Sequence, residues 1–271
     1  MPRVPVNLLL LIVLVALAGG CERGRAPPDP SPDAASTAPP APPPFALKDV
    51  VETKPDYIIG ISYPKSAAGH PGLAKALQAY ADAARGTLKQ AVAAKGQEPG
   101  APFDLSLQFT GLVDTPALVA VAADGSSYTG GTHGNPLVAR FVWLPAQDEL
   151  LTADALIPAA TGWQVIADAS REQLMTLLSQ RLAADDLPPG EYAEQLRLGS
   201  KAIADGTAPD ARNFSQFEPV VDADGRIRAL RFVFPPNQVG PYADGTLVVD
   251  IPAATLLPHL APQYRAMFRG G

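Results

Sequence analysis

The chain has 271 residues, and 21 basic against 27 acidic side chains leave a net charge of -6, the wrong sign for a sequence-independent grip on nucleic acid. A hydrophobic share of 47% and a mean hydropathy of +0.07 are enough to bury a sizeable core, which excludes wholesale disorder. The single cysteine excludes an intrachain disulfide framework, and 30 prolines, well above the usual share of about 5%, call for a segment outside the core.

Arg3 precedes an apolar run over residues 8–18. That is too short for a hydrocarbon layer needing about 20 residues, but it suits the centre of a signal peptide. The run ends in Ala18, Gly19, Gly20 and Cys21, which resembles a bacterial lipoprotein processing site: small residues before a cysteine whose thiol is acylated before the signal is cut. Leu17 stands one place further upstream than the leucine of that pattern. The reading predicts a signal peptide over 1–20 and Cys21 as the lipidated first residue of the mature chain. Two or more acyl chains there, at about 0.8 kcal/mol per buried methylene, would hold the protein on a membrane. Glu22, in place of the aspartate that resembles an inner-membrane retention signal, points to the periplasmic face of the outer membrane. Residues 21–44 continue as a tether of Pro, Ala, Ser and charged residues with no large apolar side chain. Extended at about 3.1 Å per residue, this tether reaches roughly 70 Å.

The folded part begins near residue 45. Residues 46–52 and 56–63 read as strands. Leu73, Ala76, Leu77, Tyr80, Ala84, Leu88 and Val92 recur at helical spacing, with Gly86 weakening that helix and Gly96 ending it. Phe103, Leu105, Leu107 and Phe109 alternate as in a half-buried strand, and residues 117–123 and 137–144 continue the sheet. Residues 154–157 predict a helical turn and 163–184 a longer helix with a capping box at Ser170 and Gln173. Residues 192–204 form a further short helix. Strands follow over 217–221, 227–234 and 246–251, the first two joined through the turn at Asp222, Asp224 and Gly225, and Pro252 opens a last helix over 254–260. Two groups of strands around a helical middle predict an α+β fold, a mostly antiparallel sheet with helices packed on one side. A break near 205–212 divides it into a first module over 45–205 and a smaller second module over 206–271.

Two strings stand out. Tyr128, Thr129, Gly130, Gly131, Thr132, His133, Gly134, Asn135 and Pro136 lie between two predicted strands, and so many glycines imply positive φ or close backbone approach. Val239, Gly240, Pro241, Tyr242, Ala243, Asp244 and Gly245 precede another strand. In this order and spacing they resemble a bacterial envelope family of two adjoining modules, found as the ectodomain of lysozyme-sensing anti-sigma factors and as the accessory domain of peptidoglycan deacetylases. The resemblance spans roughly residues 47–262. The first string follows the family's Tyr-x-Gly-Gly-x-His-Gly-Asn pattern, with Thr132 where alanine is commoner, and the second its Pro-Tyr-x-x-Gly pattern. The resemblance implies a wall-side module that binds peptidoglycan-related glycan or a lysozyme-like muramidase, without catalysis of its own. The deacetylase signature and a sigma-binding segment are not found in this sequence, so neither activity carries over.

The candidate ligand-binding residues are therefore Tyr128, Gly130, Gly131, His133, Asn135, Tyr242 and Asp244, and the candidate lipidation site is Cys21. No cofactor, metal or nucleic-acid partner is expected; the partners expected are a membrane, through the lipid, and cell-wall glycan or a lysozyme-like protein. His133 is an accessible imidazole able to act as a base, which leaves an envelope hydrolase or transferase as the alternative. His70, His133 and His259 are not in metal-ligand spacing with one another, and Ser126 and Ser127 lack nucleophile-elbow spacing. Asp222 and Asp224 read as hairpin residues rather than the start of a calcium loop. Trp143 and Trp163 read as core rather than as sugar platforms.

Overall fold

Strands β1 (Val50–Thr53) and β2 (Tyr57–Ser62) pair antiparallel, and helix α1 (Pro71–Lys95) then carries the chain to β3 (Phe103–Asp114), which lies parallel to β2. The computed structural model describes residues 47–96 and 100–271; the expected signal peptide, Cys21 and tether lie outside the described residues. A parallel pair needs a crossover connection, and α1 supplies it. Strands β4 (Val119–Tyr128), β5 (Asn135–Leu144) and β6 (Glu149–Leu150) complete a six-stranded sheet in sequence order, with every other pairing antiparallel.

Helix α1 starts on Pro71, whose missing N–H costs nothing in the first turn, and stops at Gly96, which takes φ 64°. It runs unbroken through Gly86. Its buried Leu73, Leu77, Ala81 and Leu88 meet Leu105, Leu107 and Phe109 of β3, so the period of the helix and the alternation of the strand close one core together. Gly125 is required where β4 crosses β3, because a Cβ there would stand 2.0 Å from the Ser106 carbonyl oxygen.

The second half comprises α2 (Ala153–Leu156), α3 (Ala160–Ala184), α4 (Pro189–Gly206), the antiparallel sheet β7 (Phe217–Val221), β8 (Ile227–Phe234) and β9 (Leu247–Pro252), and α5 (Ala253–Leu256). Trp163, Ile166, Leu174 and Leu178 of α3 pack with Phe232 and Ile251 of the three-stranded sheet. Ala120, Val142 and Leu144 of the larger sheet, with Leu118 just before β4, join this same core. The fold is α+β and mostly antiparallel, as the sequence pattern predicts; its strands form two sheets rather than one, and Pro43–Gly271 forms one compact unit. Helix α3, which the sequence pattern groups with the first module, packs here against β9, and α4 lies against α3.

The expected capping box is absent. Ser170 lies buried in the middle of α3, and Gln173 is occupied elsewhere: its Nε2 donates to the Asp250 carbonyl at 3.0 Å and its Oε1 accepts from the Asp250 N–H at 3.3 Å. The Asp222 turn does form. Gly225 takes φ 75°, and Asp222 Oδ1 accepts from the N–H groups of Asp224 and Arg226 at 3.0 Å each. Trp143 and Trp163 are 5% exposed, which makes them core residues.

Candidate functional site

The first string is the β4–β5 connection. Tyr128 ends β4 and Asn135 opens β5, so residues 129–134 must reverse the chain. Gly130 and Gly131 both take φ 97°, a conformation that side-chain-bearing residues avoid. Tyr128 Oη donates to the Gly131 carbonyl at 3.2 Å, and the edge of the Phe103 ring meets the Tyr128 ring at 6.4 Å. One tyrosine thus ties its own loop down.

The second string leaves β8 and turns through Tyr242–Asp244 before β9. Gly245 takes φ 68°, and Gly240 leaves room for the Asp244 carboxylate, since a Cβ there would lie 2.8 Å from Oδ2. This turn reaches the first loop. The His133 and Tyr242 rings stack with centroids 4.2 Å apart and planes inclined at 14°, and Tyr242 Oη donates to the Gly134 carbonyl at 3.0 Å. Two strings separated by 108 residues in the chain therefore form one surface. His133 is exposed and Tyr242 half-buried, so the stack is open to solvent on the His133 side.

Not every candidate lies in that contact. Asn135 is exposed and paired in the ladder with Ser127. Gly130 and Gly131 shape the loop, and a Cβ added at either would meet no residue of the second string within 4 Å. Asp244 turns away toward α3, where it forms an ion pair with Arg181. Arg181 carried no signal in the sequence: a basic residue in the last turn of a helix is the ordinary pattern, and only the fold reveals its partner.

Among the described residues no hydrogen bond joins the His133 ring to a serine or a carboxylate, and no group of three or more His, Cys, Asp or Glu is placed to hold a metal ion. Ser127, one of the two serines weighed as a nucleophile, is buried. What the site offers is an imidazole and a phenol ring held face to face beside a glycine loop.

The chain is similar in fold to bacterial proteins of the DUF3298 family. The crystal structure of a DUF3298 family protein from Pseudomonas aeruginosa PAO1 aligns with a TM-score of 0.55 at 16% identity, covering 83% of this chain and 96% of that one. A member of the same family from Bacteroides fragilis NCTC 9343 aligns with a TM-score of 0.42 at 19% identity, covering 77% of this chain and 85% of its own. No family model and no curated protein matches the chain. The Pseudomonas likeness extends over nearly the whole of that protein.

Proposed function

We propose that this chain is a lipid-tethered binding protein of the bacterial envelope, which recognises peptidoglycan-related glycan or a lysozyme-like muramidase through the surface built by His133 and Tyr242. The observation that carries the reading is the stacking of those two rings, because it joins the two strings whose resemblance to the lysozyme-sensing and deacetylase-associated modules suggested the function. A ring pair open to solvent on its His133 side suits either a sugar ring or a protein surface. The DUF3298-type fold supports an envelope domain, and the net charge of -6 is complementary to a strongly basic muramidase.

Two capture experiments test the proposal: sedimentation of the Pro43–Gly271 unit with purified cell wall, and pull-down with egg-white lysozyme. Capture in one of them that Tyr242→Ala abolishes is the expected result. Capture of neither overturns the reading. Turnover of wall fragments that disappears in His133→Ala would replace binding with the hydrolase or transferase alternative.

A further inference from the structure

Between α3, α4 and the segment 239–247 lies a cavity of about 290 Å³. Its walls are apolar, with Leu174, Leu177 and Leu178 from α3, Ile203 from α4, and Val239 and Leu247 from the segment. The helices come this close because residue 199 is glycine; a Cβ there would lie 2.6 Å from Leu178 Cδ2. The volume is at the low end for ligand pockets, about 300 Å³, and suits one large apolar group. At one side the ion-paired Arg181 and Asp244 line both this cavity and an adjoining hollow of about 640 Å³, where Asp185, Glu191 and Glu194 also stand. Even with Arg197, which pairs with Glu194, four carboxylates face two guanidinium groups.

We infer that this cavity receives one large apolar side chain of a partner protein, flanked on that partner by lysine or arginine residues that meet the acidic hollow. Interfaces concentrate their binding energy in such pocketed anchors, while charges at the rim select the partner and speed its arrival. An anionic amphiphile is the wrong match, because Asp244 already neutralises Arg181 and the remaining lining charges would repel it. Ala243, on the cavity wall, follows Tyr242 directly in the chain, so an occupant presses on the turn that holds the His133 stack. The inference rests on the proposed function only in taking the ligand to be a protein.

The test is a nuclear magnetic resonance titration of the isotopically labelled Pro43–Gly271 unit with two end-blocked tripeptides, lysine-tryptophan-lysine and glutamate-tryptophan-glutamate. The basic tripeptide is expected to shift the amide signals of Gly199, Ile203 and Ala243, with the acidic one at least tenfold weaker. Ala243→Trp, which fills the cavity from an exposed position, should abolish the response while leaving the rest of the spectrum in place. An equal response to both tripeptides, or none to the basic one, overturns the inference. Failure here with capture intact overturns the cavity alone. Loss of capture with the tripeptide response intact overturns the proposed function and leaves the cavity.

Discussion

Arg140 Nε donates to Glu218 Oε2 at 2.7 Å, and this contact fastens the six-stranded sheet to the three-stranded one. Arg140 belongs to β5, with its side chain 8% exposed; Glu218 belongs to β7, with its side chain 13% exposed. The Arg140 N–H also donates to Gln216 Oε1 at 2.8 Å, which satisfies a backbone donor of β5 beyond the short reach of β6. From Glu218 the chain of charges continues to Arg231 at 3.7 Å and on to Asp250, which Arg231 Nε meets at 2.7 Å.

Removing Arg140 from a pair this dry leaves Glu218 with only the longer contact to Arg231 at 3.7 Å as compensation. Arg140→Ala is therefore expected to lower unfolding free energy by about 3 kcal/mol, read by urea denaturation. The double variant with Glu218→Ala should recover part of that loss. A single-variant loss under about 1 kcal/mol, the range of a solvent-exposed pair, would show that this ion pair does not fasten the two sheets.

Two glycines separate two kinds of strain. Gly125→Ala puts a methyl group against the Ser106 carbonyl, which forces β3 and β4 apart and should cost about 1–3 kcal/mol. At Gly131 nothing lies within 4 Å of an added Cβ, but φ is 97°, so Gly131→Val should cost about 1–3 kcal/mol from backbone strain alone. Thermal unfolding should register both. Hydrogen exchange should place the first disturbance in the β3–β4 ladder and the second only in the loop.

The sequence pattern announced most of the scaffold. Phe103, Leu105, Leu107 and Phe109 alternate and are buried, and the helical spacing from Leu73 to Leu88 lies against them, because local periodicity and tertiary burial agree there. The parallel pairing of β2 with β3 was not legible, since periodicity specifies which face is buried and not which neighbour a strand takes. Ser170 and Gln173 misled for a related reason. Their spacing matches a cap, but α3 begins at Ala160, and Gln173 serves the backbone of β9, a partner 77 residues away. At the site, Tyr128, His133 and Tyr242 were visible as motif residues. The stack between His133 and Tyr242, and the Arg181 partner of Asp244, arise only from tertiary placement.

Asp210 gives a pH prediction. Hydrogen bonding from the Arg212 side chain, with help from the Arg212 N–H, holds its carboxyl down to about 2 from an ordinary 3.8. Because the folded value lies below the unfolded one, the stabilising contribution is present above about pH 4 and is lost as pH falls toward about 2. The side-chain carbon signal of Asp210 should titrate with a midpoint near that lower value, and Arg212→Ala should move it back toward 3.8. A midpoint unchanged by the substitution would contradict the assignment.

The tether makes a separate claim. If Cys21 is acylated, intact-mass measurement of the mature protein should find a chain beginning at Cys21 and heavier by its fatty acids. Fractionation should place it with membranes, and Cys21→Ala should release it to the soluble fraction. A free thiol at position 21 in a soluble product would remove the membrane from the account while leaving the binding surface untouched.

The decisive residue for that surface is Tyr242, because it contributes both a ring and a hydroxyl to the contact between the two loops. Tyr242→Phe keeps the ring against His133 and loses only the hydrogen bond to the Gly134 carbonyl, a loss of about 1 kcal/mol. Tyr242→Ala removes both and frees the loops from each other. The stacking has its own signature: the carbon-bound protons of His133 should be shifted upfield by the Tyr242 ring current in the wild type and in Tyr242→Phe, and should return to ordinary positions in Tyr242→Ala. If the same series weakens capture of wall or lysozyme modestly in Tyr242→Phe and abolishes it in Tyr242→Ala, the stack is part of the binding surface. If the ring-current shift disappears while capture is unchanged, the two rings only hold the loops together and the ligand binds elsewhere.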